Sequence, residues 1–227
     1  MQPGKKVLLG SGSPRRQMLL RELGIEFRVL KSDSEETFPA NLPEDAIAEF
    51  LAKQKGRSLT GELKSREILL TADTDVWLNG IMLRKPLNSG EAIDMLRKLS
   101  GKTHQVYTGV FLTDKERTES FHVRSDVTFL KLSEEDIRNY VERFQPFDKA
   151  GSYGAQESLP EGMNPCSPEE LDFLRENRLN DIFGRSLGKQ RDDKIPLIAG
   201  IRGGFFNVMG LPIAEVARAL MRFNLTD

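Results

Sequence analysis

Two aspartates two residues apart are the first feature with chemical content. Asp73 and Asp75 lie in Thr71-Ala72-Asp73-Thr74-Asp75, directly after the apolar Ile68, Leu69 and Leu70. Alternate side chains of a strand share a face, so the two carboxylates would stand about 6.5 Å apart on one side. Aspartate is disfavoured inside strands, and such a pair must be solvated, ion-paired or metal-bound. Oxygen donors of this kind suit Mg²⁺ or Mn²⁺. The plainer alternative is a strand leaving the core. A second feature is the turn Gly10-Ser11-Gly12-Ser13-Pro14-Arg15-Arg16. A Gly/Ser loop between a strand and a helix offers backbone N–H groups and a positive dipole end to an anion. Arg15 and Arg16 in the first helical turn oppose that dipole unless an anion is near; otherwise they point to solvent. The loop lacks the Gly-Lys-Ser/Thr ending of a P-loop.

Other candidates are weaker one by one. Lys55 lies four residues beyond Leu51 on the apolar stripe of its helix, where it either snorkels at the helix end or projects into a polar pocket. The loop Ser32-Asp33-Ser34-Glu35-Glu36 either supplies a further carboxylate or is a solvated loop. Lys85-Pro86 fixes a lysine beside a rigid residue and alone says little. In Asp148 to Gln156, two glycines permit close backbone approach. There Tyr153 offers a ring and Gln156 a donor–acceptor pair suited to a base edge; a plain loop accounts for it nearly as well. Taken together, several cations, several carboxylates and an anion cradle suit a triphosphate with a divalent metal. They do not suit acyl transfer, because nothing places His104 or His122 near a nucleophile.

The elements that must position these groups alternate between strand and helix. Strands are expected at Lys5–Gly10, Ile25–Leu30, Glu67–Leu78, Thr103–Thr113, Thr118–Leu130 and 195–202. Helices are expected from Pro14 to Gly24, at Glu44–Leu59, Ser89–Leu99 and Leu211–Phe223, and after capping boxes at Ser133–Asp136 and Ser167–Glu170. Asn79-Gly80 signals a hairpin. The pattern predicts one α/β domain over 1–227 with a mixed sheet, and an insertion at about 158–194 whose helical centre is Leu171–Asn177.

Composition fits an ordinary globule: of 227 residues, 38% are hydrophobic and 30% charged, with net charge −1. The absence of a basic block argues against duplex binding. Aromatics are 7%, and no basic–aromatic interleaving points to single strands. No apolar run is long enough for a membrane span and no secretory core follows the N-terminus. The single cysteine, Cys166, excludes an internal disulfide and fits a reducing, cytoplasmic setting.

In order along nearly the whole chain, the residues resemble the motifs of Maf proteins. These are Ser11 to Arg16, Ser32 to Glu36, Leu51-Ala52-Lys53-Gln54-Lys55, Ala72-Asp73-Thr74, Lys85-Pro86, Leu99 to His104 running into Val106 to Val110, Asp148-Lys149-Ala150-Gly151, and Asn207 to Pro212. The resemblance implies a long curved mixed sheet with flanking helices, similar to inosine triphosphate pyrophosphatases, with a central cleft between two lobes. It also implies nucleoside triphosphate pyrophosphatase activity. Tyr153-Gly154-Ala155-Gln156 looks like the branch acting on dTTP and UTP, so those and modified pyrimidine triphosphates are the expected substrates. Asp75, Arg84 and Gly203 to Phe206 depart from the usual pattern, and the stretch around 158–194 is longer than in a typical member.

On this reading water attacks the α-phosphorus and pyrophosphate leaves. Asp73 is the expected general base, or the ligand that positions metal-bound water; Glu36 holds the Mg²⁺ or Mn²⁺ with it. Arg15, Arg16, Lys55 and Lys85 bind phosphate, Ser11 and Ser13 seat it, and Gln156 reads the pyrimidine. The rival expectation is a nucleotide-binding regulator of division or septum formation with little turnover. A homodimer is the commonest assembly on base rates.

Overall fold

The computed structural model describes residues 4–182 and 194–225. Residues 183–193 of the predicted insertion lie outside the described residues. The elements are β1 (Lys6–Leu9), α1 (Pro14–Glu22), β2 (Phe27–Val29), α2 (Glu44–Leu59), β3 (Glu67–Leu78), β4 (Ile81–Met82), α3 (Ser89–Leu99), β5 (Thr103–Thr113), β6 (Thr118–Phe129), α4 (Glu134–Phe144), α5 (Pro168–Glu176), β7 (Ile198–Arg202), α6 (Phe205–Val208) and α7 (Ile213–Arg222). Among the described residues a seven-stranded sheet runs in the order β2-β1-β3-β5-β6-β7, with β4 paired to β3. The sheet is mixed, as expected: β1 is parallel to β2 and β3, whereas β3–β4 and β6–β7 are antiparallel.

The chain forms two compact units, each drawn from separated stretches. One comprises the described parts of Met1–Thr74, Thr108–Val123 and Gly210–Asp227; the other comprises Asp75–Tyr107 and the described parts of Arg124–Met209. No described helix is long and apolar enough to cross a membrane.

In the first unit, Val7, Leu8 and Leu9 of β1 are all fully buried. A continuous apolar run is what a parallel strand covered on both faces requires. Leu8, Leu59 and Leu69 share a cluster extended by Leu30 and Leu63. Ser13 caps α1 and Pro14 opens it. Its end is a Schellman turn: Gly24 N–H donates to the Arg21 carbonyl and Ile25 N–H to the Leu20 carbonyl, with Gly24 at φ +71°. Helix α1 therefore stops before Gly24, and β2 is shorter than its apolar run. Helix α7 buries Ile213, Val216, Leu220 and Phe223 on one stripe.

Helix α2 lies against the sheet at backbone distance. A Cβ on Gly109 of β5 would stand 2.2 Å from the Ala48 carbonyl and the Glu49 nitrogen, and one on Gly56 would stand 2.2 Å from the Phe111 ring. Thr71 Oγ1 donates to the Ala52 carbonyl at 2.7 Å. These contacts fix how α2 rides on β3 and β5.

In the second unit, Asn79 (φ +52°) and Gly80 (φ +78°) make the predicted turn between β3 and β4. Both predicted capping boxes form, Ser133 with Asp136 and Ser167 with Glu170. Arg97 of α3 bonds both Glu134 oxygens of α4 at 2.7 and 2.6 Å. Strand β7 begins at Ile198 rather than 195, because Ile195 and Leu197 give their N–H groups to the carbonyls of Glu157 and Ser158. Glu170 is buried and has more than one duty. Besides completing the cap at Ser167, it accepts from Phe205 N–H at 2.8 Å and Phe206 N–H at 2.9 Å. Helix α5 thus supplies the acceptor for the start of α6, a helix the residue pattern does not announce.

Candidate functional site

The chemistry-bearing side chains of the first unit gather on α2 and the end of its β3 segment. Lys55 sits one helical turn beyond Leu51, as the apolar stripe requires, and its ammonium is not in solvent. It donates to Glu36 Oε1 at 2.8 Å and to Asp73 Oδ1, and only 15% of its side chain is exposed. Asp73 is 7% exposed overall. The loop bearing Glu36 reaches this point because its start is fastened to α2. Ser32 Oγ is 2.8 Å from Ser34 Oγ and 3.0 Å from Ser58 Oγ, and Ser58 Oγ donates to the Lys55 carbonyl. The polar loop is therefore tied to the helix that carries the lysine.

The strand-to-helix turn is the second component. Ser11 Oγ, largely buried, accepts from Ser13 N–H and Arg16 Nη1, both at 3.2 Å. Arg16 also donates through Nε to the Gly210 carbonyl at 2.8 Å and through Nη2 to Thr74 Oγ1 at 3.0 Å. Burial lowers its pKa from the usual arginine range, Asp73 and Glu36 oppose that shift, and Arg15 adds to it. The two arginines thus divide their work. Arg16 braces the turn from within, with its guanidinium bonded to three protein acceptors, and Arg15 is half-buried beside it. This resolves the conflict of two cations at a positive helix end: the carboxylates of Glu36 and Asp73 supply the opposing field.

Residue types alone did not single out Thr74, Thr108 and Gly210. Thr74 and Thr108 hydroxyls are 3.0 Å apart, extending the Arg16 bond across neighbouring strands. Gly210 stands at φ +100°, and a Cβ there would lie 3.3 Å from Thr74 Oγ1. For all three residues the signal in the sequence was the family resemblance, since each lies within the motifs that carry it.

The donor set fits a divalent cation. Glu36 and Asp73 already converge on one positive atom, the Lys55 ammonium. Among the described residues no group of three or more His, Cys, Asp or Glu gathers. Two carboxylates suit Mg²⁺, which keeps waters and takes substrate phosphates as further ligands instead of demanding an all-protein cage.

Asp75, Lys85 and Gln156 belong to the second unit. Asp75 is buried, Lys85 is exposed after β4, and Gln156 is half-exposed on the loop after the short 3₁₀ turn Ala150–Ser152. Lys149, at the start of that turn, pairs with Asp148 at 2.8 Å.

Comparison with known proteins adds a family to this geometry. The family model described as Maf-like protein matches residues 6–162. A Bacteroides thetaiotaomicron protein named dTTP/UTP pyrophosphatase is 39% identical, over 93% of this chain and 92% of that relative. A Bacillus cereus protein of the same name is 39% identical over 97% of each. The solved Staphylococcus aureus Ham1 protein, at 15% identity, superposes with a TM-score of 0.41 over 56% of this chain and 73% of that one, a likeness too remote to bear on function.

Proposed function

The chain belongs to the Maf-like protein family, and from that premise we propose that it hydrolyses dTTP, UTP and related pyrimidine nucleoside triphosphates to the monophosphate and pyrophosphate. The observation that carries this reading is the Lys55 ammonium held between Glu36 and Asp73, in the field of the Ser11–Arg16 turn. A half-buried cation clasped by two carboxylates is a charge arrangement ready to be re-partnered by an anionic substrate.

Water attacks the α-phosphorus as the bond to the bridging oxygen breaks, and pyrophosphate leaves with that oxygen. Asp73 takes the proton from the attacking water, a task for a carboxylate held by α2 and shielded from bulk solvent. A divalent cation held by Glu36 and Asp73 would neutralise phosphate charge and acidify that water. Lys55, turned from the carboxylates, pairs with phosphate oxygens, and Arg15 adds charge at the helix start. Ser11 and Ser13 seat the phosphates with the N–H groups of the turn. Lys85 and Gln156 enter this reading through the sequence pattern, as a phosphate cation and the reader of the base. Such an enzyme cleans nucleotide pools in the cytoplasm.

The test is pyrophosphate release from a panel of nucleoside triphosphates with Mg²⁺ or Mn²⁺. Turnover of dTTP and UTP is the expected result. Turnover of purine triphosphates alone would overturn the substrate assignment, and binding without turnover would point to a regulator instead. Lys55→Met keeps the aliphatic stem and removes the charge. It should raise KM for dTTP about 10- to 100-fold, the range of a charged hydrogen bond, and change inhibition by dTMP far less. Equal losses for both nucleotides would remove the lysine from the phosphate site.

A further inference from the structure

The loop that carries Gln156 is held from two sides by buried polar side chains, and one of them is a histidine that the proposed mechanism does not use. His104, on β5, is fully buried. Its Nε2 lies 2.8 Å from the Tyr153 hydroxyl, while its Nδ1 is buried with no hydrogen-bond partner among the described residues. The rings of His104, Tyr153 and Phe129 meet edge to face in all three pairs, with centroids 4.9 to 5.4 Å apart. Burial holds the histidine down to about pKa 4, opposed weakly by Asp126, so the ring is neutral near pH 7 and carries one N–H.

An unsatisfied buried ring nitrogen costs free energy, and phenylalanine at 104 would avoid that cost while keeping the edge-to-face packing. What the histidine adds is its one bond, to Tyr153. The following residues are pinned as well. Gly154 N–H donates to Tyr140 Oη at 2.9 Å, and that hydroxyl donates to Glu157 Oε1 at 3.2 Å. A Cβ on Gly154 would lie 2.2 Å from the same Glu157 oxygen, so a larger residue there would have to displace the carboxylate that Tyr140 bonds. Beyond it, Ser158 is tied by the N–H groups of Leu197 and Ile198. Gln156 is the half-exposed side chain between these anchors.

We propose that His104 is a positioning residue for nucleobase recognition, fixing through Tyr153 the main chain that presents Gln156. This rests on the pyrimidine-reading role of Gln156 in the function proposed above. A side chain acting through the loop governs where the amide stands, not the chemistry at the phosphate, so its effect falls on KM and base preference.

The test compares His104→Phe, Tyr153→Phe, the double variant, His104→Gln and Gln156→Ala, with dTTP and CTP as substrates and inorganic tripolyphosphate as a baseless competitive inhibitor. His104→Phe removes the orphaned Nδ1 but orphans the buried Tyr153 hydroxyl, so the melting temperature should change little, while KM for dTTP should rise about tenfold, the scale of one hydrogen bond. The preference for dTTP over CTP should shrink, with tripolyphosphate inhibition unchanged. Tyr153→Phe should match it, the double variant should add nothing, and His104→Gln, which can still bond Tyr153, should recover part of the loss. If Gln156→Ala loses base preference and His104→Phe keeps it, the positioning role is wrong and the base-reading role stands. If neither changes preference, both fall. A loss of kcat and of tripolyphosphate binding together would mean general damage and would also overturn the proposal.

Discussion

Asp73→Asn should lower kcat for dTTP by about 10³-fold, the usual worth of a positioned general base. The amide keeps the size of the carboxyl and an oxygen for the Lys55 ammonium, so the fold should survive, with an unchanged circular dichroism spectrum. What is lost is the ability to take a proton and to hold a cation by charge. Affinity for a non-hydrolysable α,β-methylene analogue of dTTP should fall much less than turnover does. Paired turnover and binding measurements therefore separate chemistry from recognition. Near-normal turnover in Asp73→Asn would end the assignment of Asp73 as base, whatever happened to binding.

Gly109→Ala should be the most damaging single methyl group in the first unit. The added carbon would stand 2.2 Å from main-chain atoms of Ala48 and Glu49, where no side chain can rotate away. Helix α2 must shift or the strand must bend, and overpacking of this kind costs about 3 kcal/mol. For a chain of this length that corresponds to a fall in melting temperature of roughly 6–12 °C. Because α2 also carries Lys55, turnover measured well below the melting temperature should fall as well. Gly61→Ala is the control, since a Cβ there meets nothing within 4 Å and the backbone is not left-handed; it should leave stability within about 0.5 kcal/mol of wild type. Chemical denaturation of the three proteins decides the matter.

Where local signals were strong, elements were legible to the residue. Helix α2 runs from Glu44 to Leu59, β3 from Glu67 to Leu78 and α3 from Ser89 to Leu99, as the pattern predicts. Each of these is long and clearly patterned. Helix α6 was not legible, because its four residues owe their start to Glu170, 35 positions away from Phe205. The site shows the same division. A lysine on an apolar stripe and a carboxylate in a strand were each anomalous in isolation, and the structure shows that each accounts for the other. The bracing of Arg16 could not be read, since its carbonyl partner on Gly210 is 194 positions away and carries no side-chain signature. The His104–Tyr153 bond was missed for a similar reason: an isolated histidine with no nucleophile or ligand beside it in the sequence reads as a core or surface residue, and its partner is 49 positions away.

The Glu170 carboxylate has a consequence for how the second unit opens. It closes the cap of α5 at Ser167 and also receives the first two N–H groups of α6. If α5 detached alone, two buried amide groups would lose their acceptor, so the two helices share one opening event and not two. Asn207 extends the link by donating to the Val106 carbonyl and to Ser125 Oγ. Amide hydrogens of 168–176 and 205–209 should therefore exchange with solvent deuterium as a single cooperative block. Helix α5 and the start of α6 stand or fall together, and shortening the chain around Glu170 would loosen Phe205 and Phe206 along with it.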